Sequence, residues 1–407
     1  MMKYVIIGAS AAGINAAKTL RILDKDAEIT LISKDTKVYS RCMLHYVISG
    51  SKTEEDICFT EDDFFNKYEI NWISGKKIIG INIYNKFLTT DDERIVTFDK
   101  LLIASGADSF IPPIKNLRGA NNVYALRHME DVVNINSVAK INTSAVIIGA
   151  GLVGIDAAIG LIEKGVKVNI VEMAPGILPI QLDAKTAKVY ENELIKNGAQ
   201  VYTSVSVEEI IIDENKDVKA VKLGDGRKIN CDFIICAAGV RPNVDFLKDD
   251  RIKIEKGIVI DSRCKTSVED IYAAGDVCGI SPIWPMAVKQ GIVAAYNMTG
   301  NLKELDDYFS FKNSMNFFGI QTVSLGVLEA PDNTYEVEVR VYRDIYKKII
   351  HKDGVIYGAI LQGDISYCGI LTQLIKNKVD VSKINKSVLD INYGDFYKVS
   401  EDGQYMY

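Results

Sequence analysis

Two stretches of the chain share one pattern, and the pair restricts the fold more than any other feature. Tyr4-Val5-Ile6-Ile7 is an apolar run of strand length that turns through Gly8-Ala9-Ser10-Ala11-Ala12-Gly13 into small residues suited to a closely packed helix (Ala11, Ala12, Ala16, Ala17). Ala145-Val146-Ile147-Ile148 turns in the same way through Gly149-Ala150-Gly151-Leu152-Val153-Gly154 into a helix from Ile155 to Glu163. A buried strand, a glycine-cornered turn and a helix whose N-terminus presents free backbone N–H groups make a seat for a pyrophosphate. The bland alternative for either stretch is a glycine-rich turn ahead of an ordinary helix. Strand, three glycines, helix, second strand and a terminal acid in register make the second stretch far more specific than a lone glycine triplet.

That acid is Glu172. It closes Val166-Lys167-Val168-Asn169-Ile170-Val171, 23 residues beyond Gly149, close to the roughly 20 at which dinucleotide folds place a carboxylate against the adenosine ribose. A carboxylate there repels a 2′-phosphate in a partly dry pocket, so NADH is expected in preference to NADPH. The first stretch departs from the pattern twice. Ser10 stands at the middle glycine, and Ser33 stands where the acid would close Glu28-Ile29-Thr30-Leu31-Ile32, with Lys34 and Asp35 behind it. Ser33 can still exchange a hydrogen bond with a ribose but supplies no charge.

At 407 residues the chain exceeds a single core and fits two or three domains. Its net charge of −6 comes from acids and bases mixed along its length, leaving no basic tract for nucleic acid or an anionic membrane. No apolar run approaches the roughly 18 residues of a membrane span, and the N-terminus lacks the charged head and apolar core of a signal peptide. Seven cysteines without a CxxC pair and three scattered histidines point to a reducing cytoplasm and no metal site.

The rest of the chain organises around the two turns. From Gly50 to Lys100 the alternation is that of short strands, as in Lys76 to Ile83, with polar turns such as Asp91-Asp92-Glu93. Asp99-Lys100-Leu101-Leu102-Ile103-Ala104-Ser105-Gly106-Ala107 is an apolar strand running into a glycine turn, and Pro112-Pro113 begins a linker. Cys231 to Asn243 repeats that strand-and-turn pattern after the second unit. Asp270-Ile271-Tyr272-Ala273-Ala274-Gly275-Asp276 then leads to another small-residue helix (Ala287, Gly291, Ala294, Ala295). These repeats predict an α/β chain with two Rossmann-like dinucleotide-binding domains, the second inserted into the first. The first covers residues 1–112 and 238–309 and the second residues 113–237, with a small C-terminal α+β domain over 310–407, from about Phe311. Within this last domain Glu336 to Tyr342 alternates as a strand.

The ordered set of motifs resembles the FAD-dependent pyridine nucleotide-disulfide oxidoreductases over residues 1 to about 325. The resemblance implies that Gly8, Ser10, Ala11, Ala12 and Gly13 bind FAD. It adds Ser33, Lys34, Arg41, Cys42, Ala104, Ser105, Gly106 and Asp276 to that set, and Trp284 as an aromatic against the flavin. It implies that Gly149, Gly151, Leu152, Val153, Gly154, Glu172 and Gly239 bind NADH. The paired redox cysteines of the glutathione-reductase branch, four residues apart, are absent, which removes a dithiol mechanism.

The branch turns on Tyr39-Ser40-Arg41-Cys42-Met43-Leu44. Counted back from Gly50, Cys42 falls where coenzyme A-disulfide reductases, NADH oxidases and NADH peroxidases carry a single redox cysteine. Arg41 beside it is expected to lower its pKa. Ala11 and Ala12 stand where the peroxidases have a histidine. His45 is expected to pack rather than to act as a base. The same text resembles the Tyr-x-Arg-Pro segment of rubredoxin, ferredoxin and nitrite reductase flavoproteins, with Cys42 in place of proline. Ser33 and the run from Asn316 to Gly326 lean the same way. The expected function is therefore an NADH oxidoreductase passing electrons through FAD to a small redox protein such as rubredoxin. The alternative is a disulfide or persulfide reductase or an NADH oxidase with Cys42 as redox cysteine, and, from another class, a non-catalytic flavoprotein redox sensor. A homodimer is left open.

Overall fold

The computed structural model describes residues 1–280, 283–305, 312–399 and 405–406. The expected start of the last domain near Phe311 lies outside them. The chain divides into two compact units: Met1–Gly149 with Val153–Val168 and Val207–Tyr308, and Ala150–Leu152 with Asn169–Ser206 and Phe309–Tyr407.

In the first unit, five parallel strands run in the order Ile271–Ala273, Lys100–Ile103, Lys3–Ile7, Glu28–Ser33, Ile70–Ser74. The outermost, Ile271–Ala273, comes from beyond the second glycine turn, so this sheet is built from chain on both sides of that turn. Strands buried on both faces read as continuous apolar runs, as in Tyr4-Val5-Ile6-Ile7. The helix Ala11–Leu23 lies against the helix Trp284–Met298, and small residues let the two approach closely. A Cβ on Gly291 would lie 2.2 Å from the carbonyl oxygen of Ala12, a contact no side chain tolerates.

The same unit holds Ser144–Ile148 parallel to Phe233–Cys236, which pairs in turn with Val123–Tyr124. It also contains the antiparallel strands Ile78–Asn82, Phe87–Thr90 and Ile95–Thr97, the last two joined by the polar turn at Asp91 to Glu93.

In the second unit, Lys167–Val171 pairs with Gln200–Tyr202 in parallel. The C-terminal segment forms an antiparallel sheet in the order Lys312–Phe317, Ile320–Gly326, Val355–Gln362, Ile345–Lys352, Glu336–Tyr342. One face is covered by the helix Cys368–Lys376 through Leu371, Leu374 and Ile375. The other meets the helix Ala184–Lys196: Tyr190 donates to the Ile320 carbonyl at 2.6 Å, and Tyr346 donates to the Asp183 carboxylate at 2.8 Å. No helix among the described residues is long and apolar enough to cross a membrane.

Candidate active site

The first glycine turn opens onto a cavity of about 430 Å³. Its floor depends on two glycines. Gly8 sits at φ +107°, where L side chains are strained, and a Cβ on it would lie 2.2 Å from the Ala104 carbonyl oxygen. A Cβ on Gly13 would lie 1.8 Å from the Gly8 carbonyl oxygen, so this glycine brings helix and strand together from behind the cavity wall. Ser10, the N-cap of the helix Ala11–Leu23, makes no capping bond with its side chain. The first N–H groups of that helix, at Ala11 and Ala12, therefore remain for a ligand.

Every other residue of the expected FAD set lines this cavity: Ser10, Ala11 and Ala12 at the turn, Ser33 and Lys34 at the end of the second strand, Arg41 and Cys42 beyond it, Ala104 to Gly106, Asp276 and Trp284. The 104–106 turn is held by a reciprocal pair, the Ser105 hydroxyl donating to the Asn243 carbonyl at 2.8 Å and the Asn243 amide returning to the Ser105 carbonyl at 3.2 Å. Trp284 meets Phe59 edge-on, with ring centroids 4.8 Å apart.

Three groups meet partners within the protein that the sequence did not suggest. The Ser33 hydroxyl is committed within the protein, donating to the Asp35 carbonyl at 2.8 Å and accepting from Trp72 Nε1 at 2.9 Å. Its only proton is spent, so it has none to donate to a ribose. Arg41 acts to lower the Cys42 pKa, but by less than burial raises it. Its guanidinium donates to the Asp35 carboxylate at 2.5 Å and stacks over Tyr39. Cys42 itself opens onto the cavity, but its thiol is pushed above its ordinary range, first by burial and then by the Asp156 carboxylate, with Arg127 and Arg41 offsetting only part. Third, Asp276 meets a partner that no motif announced: Arg127 Nη2 donates to its carboxylate at 2.5 Å, while Arg127 Nε donates to the Ala107 carbonyl.

His128, next to Arg127, is the other residue missed. Its Nε2 lies 2.8 Å from Asp108 Oδ1 and holds that carboxyl well below the usual carboxylate range. Its Nδ1 is buried on the cavity wall without a hydrogen-bond partner. An orphaned nitrogen, uncapped helix N–H groups and a small-residue floor fit a large anionic ligand with polar edges. Leu126-Arg127-His128 carries no local spacing that could have marked it.

Behind Cys42, Gly160 lets its helix touch the backbone of His45, where a Cβ would come within 2.6 Å of the carbonyl oxygen. His45 Nδ1 lies 3.7 Å from Asp156. Burial pushes the imidazole down to about 4 and the carboxyl up to about 7, so His45 packs as a neutral ring at neutral pH.

The second glycine turn repeats the first. Gly149 has φ +103° with a virtual Cβ 2.5 Å from the Ala237 carbonyl oxygen, and a Cβ on Gly154 would lie 2.0 Å from the Gly149 carbonyl oxygen. A Cβ on Gly151 would meet nothing within 4 Å, so its lack of a side chain leaves open space before the turn. Leu152 and Val153 begin the helix Leu152–Glu163. Glu172 is fixed by two backbone N–H groups, Ala150 at 2.7 Å and Ala174 at 2.8 Å, one on each carboxylate oxygen. Gly239 sits at φ +109° in the turn before Val240–Pro242, off the wall of the first cavity.

Two glycine turns of this geometry on Rossmann-like parallel sheets are those of a nucleotide-dependent oxidoreductase. The chain belongs to the pyridine nucleotide-disulphide oxidoreductase family, whose model matches residues 2–291. A second model, the rubredoxin NAD+ reductase C-terminal domain, matches residues 312–379. The chain is 31% identical to the NADH-rubredoxin oxidoreductase of Clostridium acetobutylicum, over 94% of this chain and 95% of that protein. It is 35% identical to the NADH oxidase of Methanocaldococcus jannaschii, over 74% of this chain and 70% of that one. A NAD-dependent persulfide reductase from A. fulgidus superposes with a TM-score of 0.84 at 25% identity, covering 94% of this chain and 78% of that one. Some relatives are much longer: the chain spans about half (48%) of the nitrite reductase of Bacillus subtilis.

Proposed function

We propose that the chain is an NADH-dependent oxidoreductase that holds FAD in the first cavity and passes electrons to a small redox protein of the rubredoxin type. The carrying observation is the cavity itself, built by the first glycine turn and lined by the Asp276–Arg127 pair. The FAD set would consist of residues 1–112 and 238–309, the NADH set of residues 113–237, and residues 310–407 would form the C-terminal domain. FAD, when bound, supplies a hydride acceptor that can release electrons one at a time. The protein's own residues bind and orient. The N–H groups at Ala11 and Ala12 and the partly buried Arg127 would take the pyrophosphate, Asp276 would accept from the ribityl hydroxyls, and Trp284 would cover the ring. Glu172 would direct its remaining lone pairs at the NADH ribose and exclude a 2′-phosphate. No side chain is needed as an acid or base for hydride transfer. The match of residues 312–379 to the rubredoxin reductase C-terminal domain favours a protein acceptor. Seven free cysteines fit a reducing cytoplasm.

A second reading rests on Cys42, which faces the same cavity as a free thiol. It would make the acceptor a disulfide, a persulfide or dioxygen. Anaerobic NADH titration of the holoprotein and of Cys42→Ser, with rubredoxin, coenzyme A disulfide and oxygen offered in turn, separates the two. Rubredoxin reduction that survives the substitution supports the first reading. Disulfide turnover that outruns rubredoxin and vanishes with Cys42 overturns it.

A further inference from the structure

The second glycine turn is held from behind. Ala150, inside that turn, gives its N–H to one oxygen of Glu172 at 2.7 Å and takes the Leu178 N–H on its carbonyl at 2.8 Å. One backbone group of Ala150 thus fixes the acid expected at the ribose, and the other is fixed by the segment that follows that acid. Leu178 makes its bond from φ +51°, a left-handed conformation that a leucine keeps only where its surroundings impose it. Its carbonyl accepts from the N–H groups of Gln181 and Leu182 at 2.9 and 3.0 Å. Met173 to Leu182 forms neither strand nor helix. Apart from the buried side chains of Ile177, Leu178 and Leu182, its anchors are the residues at its two ends, Glu172 and Asp183.

Asp183 is the N-cap of the helix Ala184–Lys196, one carboxylate oxygen accepting from the Thr186 N–H at 3.0 Å and from its hydroxyl at 2.7 Å. The other oxygen accepts from the Tyr346 hydroxyl at 2.8 Å and from the Lys348 ammonium at 3.3 Å. Those two side chains stand on one face of the strand Ile345–Lys352 in the C-terminal sheet. Burial works to raise the Asp183 carboxyl, but the hydrogen bonds from Thr186 and Tyr346 and the charge of Lys348 outweigh it and hold the group below the usual carboxylate range. The Asp183 and Lys348 side chains are only 5 and 7% exposed, so losing one strands the other as a buried charge.

We propose that Asp183, together with Tyr346 and Lys348, positions the second glycine turn and Glu172 for NADH. The C-terminal sheet holds Asp183, Asp183 holds the short turn at Leu178, and Leu178 sets the Ala150 peptide against which Glu172 is aligned. These three are positioning residues, acting through Leu178 and Ala150 without touching the nucleotide. The inference rests on the reading that the second turn and Glu172 receive NADH.

ADP-ribose, which keeps the adenosine and pyrophosphate of NADH and lacks the nicotinamide, is the probe, titrated calorimetrically into the flavin-loaded protein. Tyr346→Phe removes one hydroxyl and should weaken binding about threefold to fivefold. Asp183→Asn retains a side chain that caps well but gives up the charge, and should weaken binding about tenfold. Both should raise KM for NADH by the same factor, leave kcat at saturating NADH within about twofold and keep a full complement of flavin. In a Glu172→Ala background Tyr346→Phe should lose most of its effect, as expected of groups that act in series. Variants that melt earlier yet bind ADP-ribose as the wild type does would overturn the proposal, and so would additive losses in the double variant. If Glu172→Ala alone leaves ADP-ribose affinity unchanged, the reading of the second turn falls and this proposal with it; failure of the brace alone leaves the Glu172→Ala loss intact.

Discussion

Gly13 and Gly154 occupy the same place in their two turns and meet the same obstacle, a carbonyl oxygen 1.8 or 2.0 Å from any added Cβ. Past that shared corner the turns diverge. In the second, the middle residue is Gly151, open on its Cβ side, and the strand after the helix ends on Glu172, held by two backbone N–H groups. In the first, the middle residue is Ser10, and the strand ends on Ser33, whose hydroxyl is spent on Trp72 and Asp35. The first turn places its charge elsewhere, in the Arg127–Asp276 pair brought together from distant parts of the chain and in the Arg41–Asp35 pair just beyond the strand. One backbone device can thus be furnished by local sequence or by tertiary contacts, and the two versions should respond differently to substitution.

The largest effect should come from the shared corner. Gly13→Ala should yield protein with little or no flavin, because the clash is with backbone and relieving it costs roughly 1–3 kcal/mol or more. Gly154→Ala should keep the flavin and raise KM for NADH by about tenfold or more, the factor that ~1.4 kcal/mol represents. Flavin-to-protein absorbance ratios and steady-state kinetics check both, and loss of flavin from Gly154→Ala would break the assignment of the two turns.

Asp276→Asn should weaken flavin retention by about 10- to 100-fold, since it strips a partly buried arginine of its ionised partner. The usual penalty of roughly 3–5 kcal/mol is discounted here because both side chains keep 17% exposure. Flavin fluorescence released on dilution measures it. Next in size, Glu172→Ala should raise KM for NADH about tenfold and narrow the gap to NADPH. Its counterpart Ser33→Ala should change flavin affinity less than about threefold while costing ~1 kcal/mol in thermal stability through the orphaned Trp72 N–H. Equal effects on ligand binding from these two would show that Ser33 serves the ligand after all.

The smallest signal concerns pH. A thiol raised above 9.0 is almost wholly protonated at neutrality, so alkylation of Cys42 should stay slow from pH 6 to 8 and climb only in the alkaline range. Mass-spectrometric rates across pH would show this. Rapid labelling at pH 7 would mean that a stabilised thiolate faces the cavity and would favour the thiol acceptor.

Both glycine turns, with their strands and helices, were legible from residues adjacent or periodic in sequence. Backbone sterics made them so: only glycine occupies φ near +105° or survives 2 Å from a carbonyl, and only small residues allow the close helix packing seen at Ala12 and Gly291. Arg127 was invisible because its partner lies 149 residues away and neither residue is part of a spacing rule that links them. Arg41 does favour the thiolate of its neighbour, but the fold also pairs it with Asp35 and sets burial and Asp156, from a later helix, against Cys42, and these prevail. The sequence by itself determined where a dinucleotide phosphate can be seated, because that is a property of local backbone shape. Which charges surround the seat, and whether the thiol beside it is ionised, was decided only by tertiary structure, because electrostatic interaction and desolvation depend on distance through space and not along the chain.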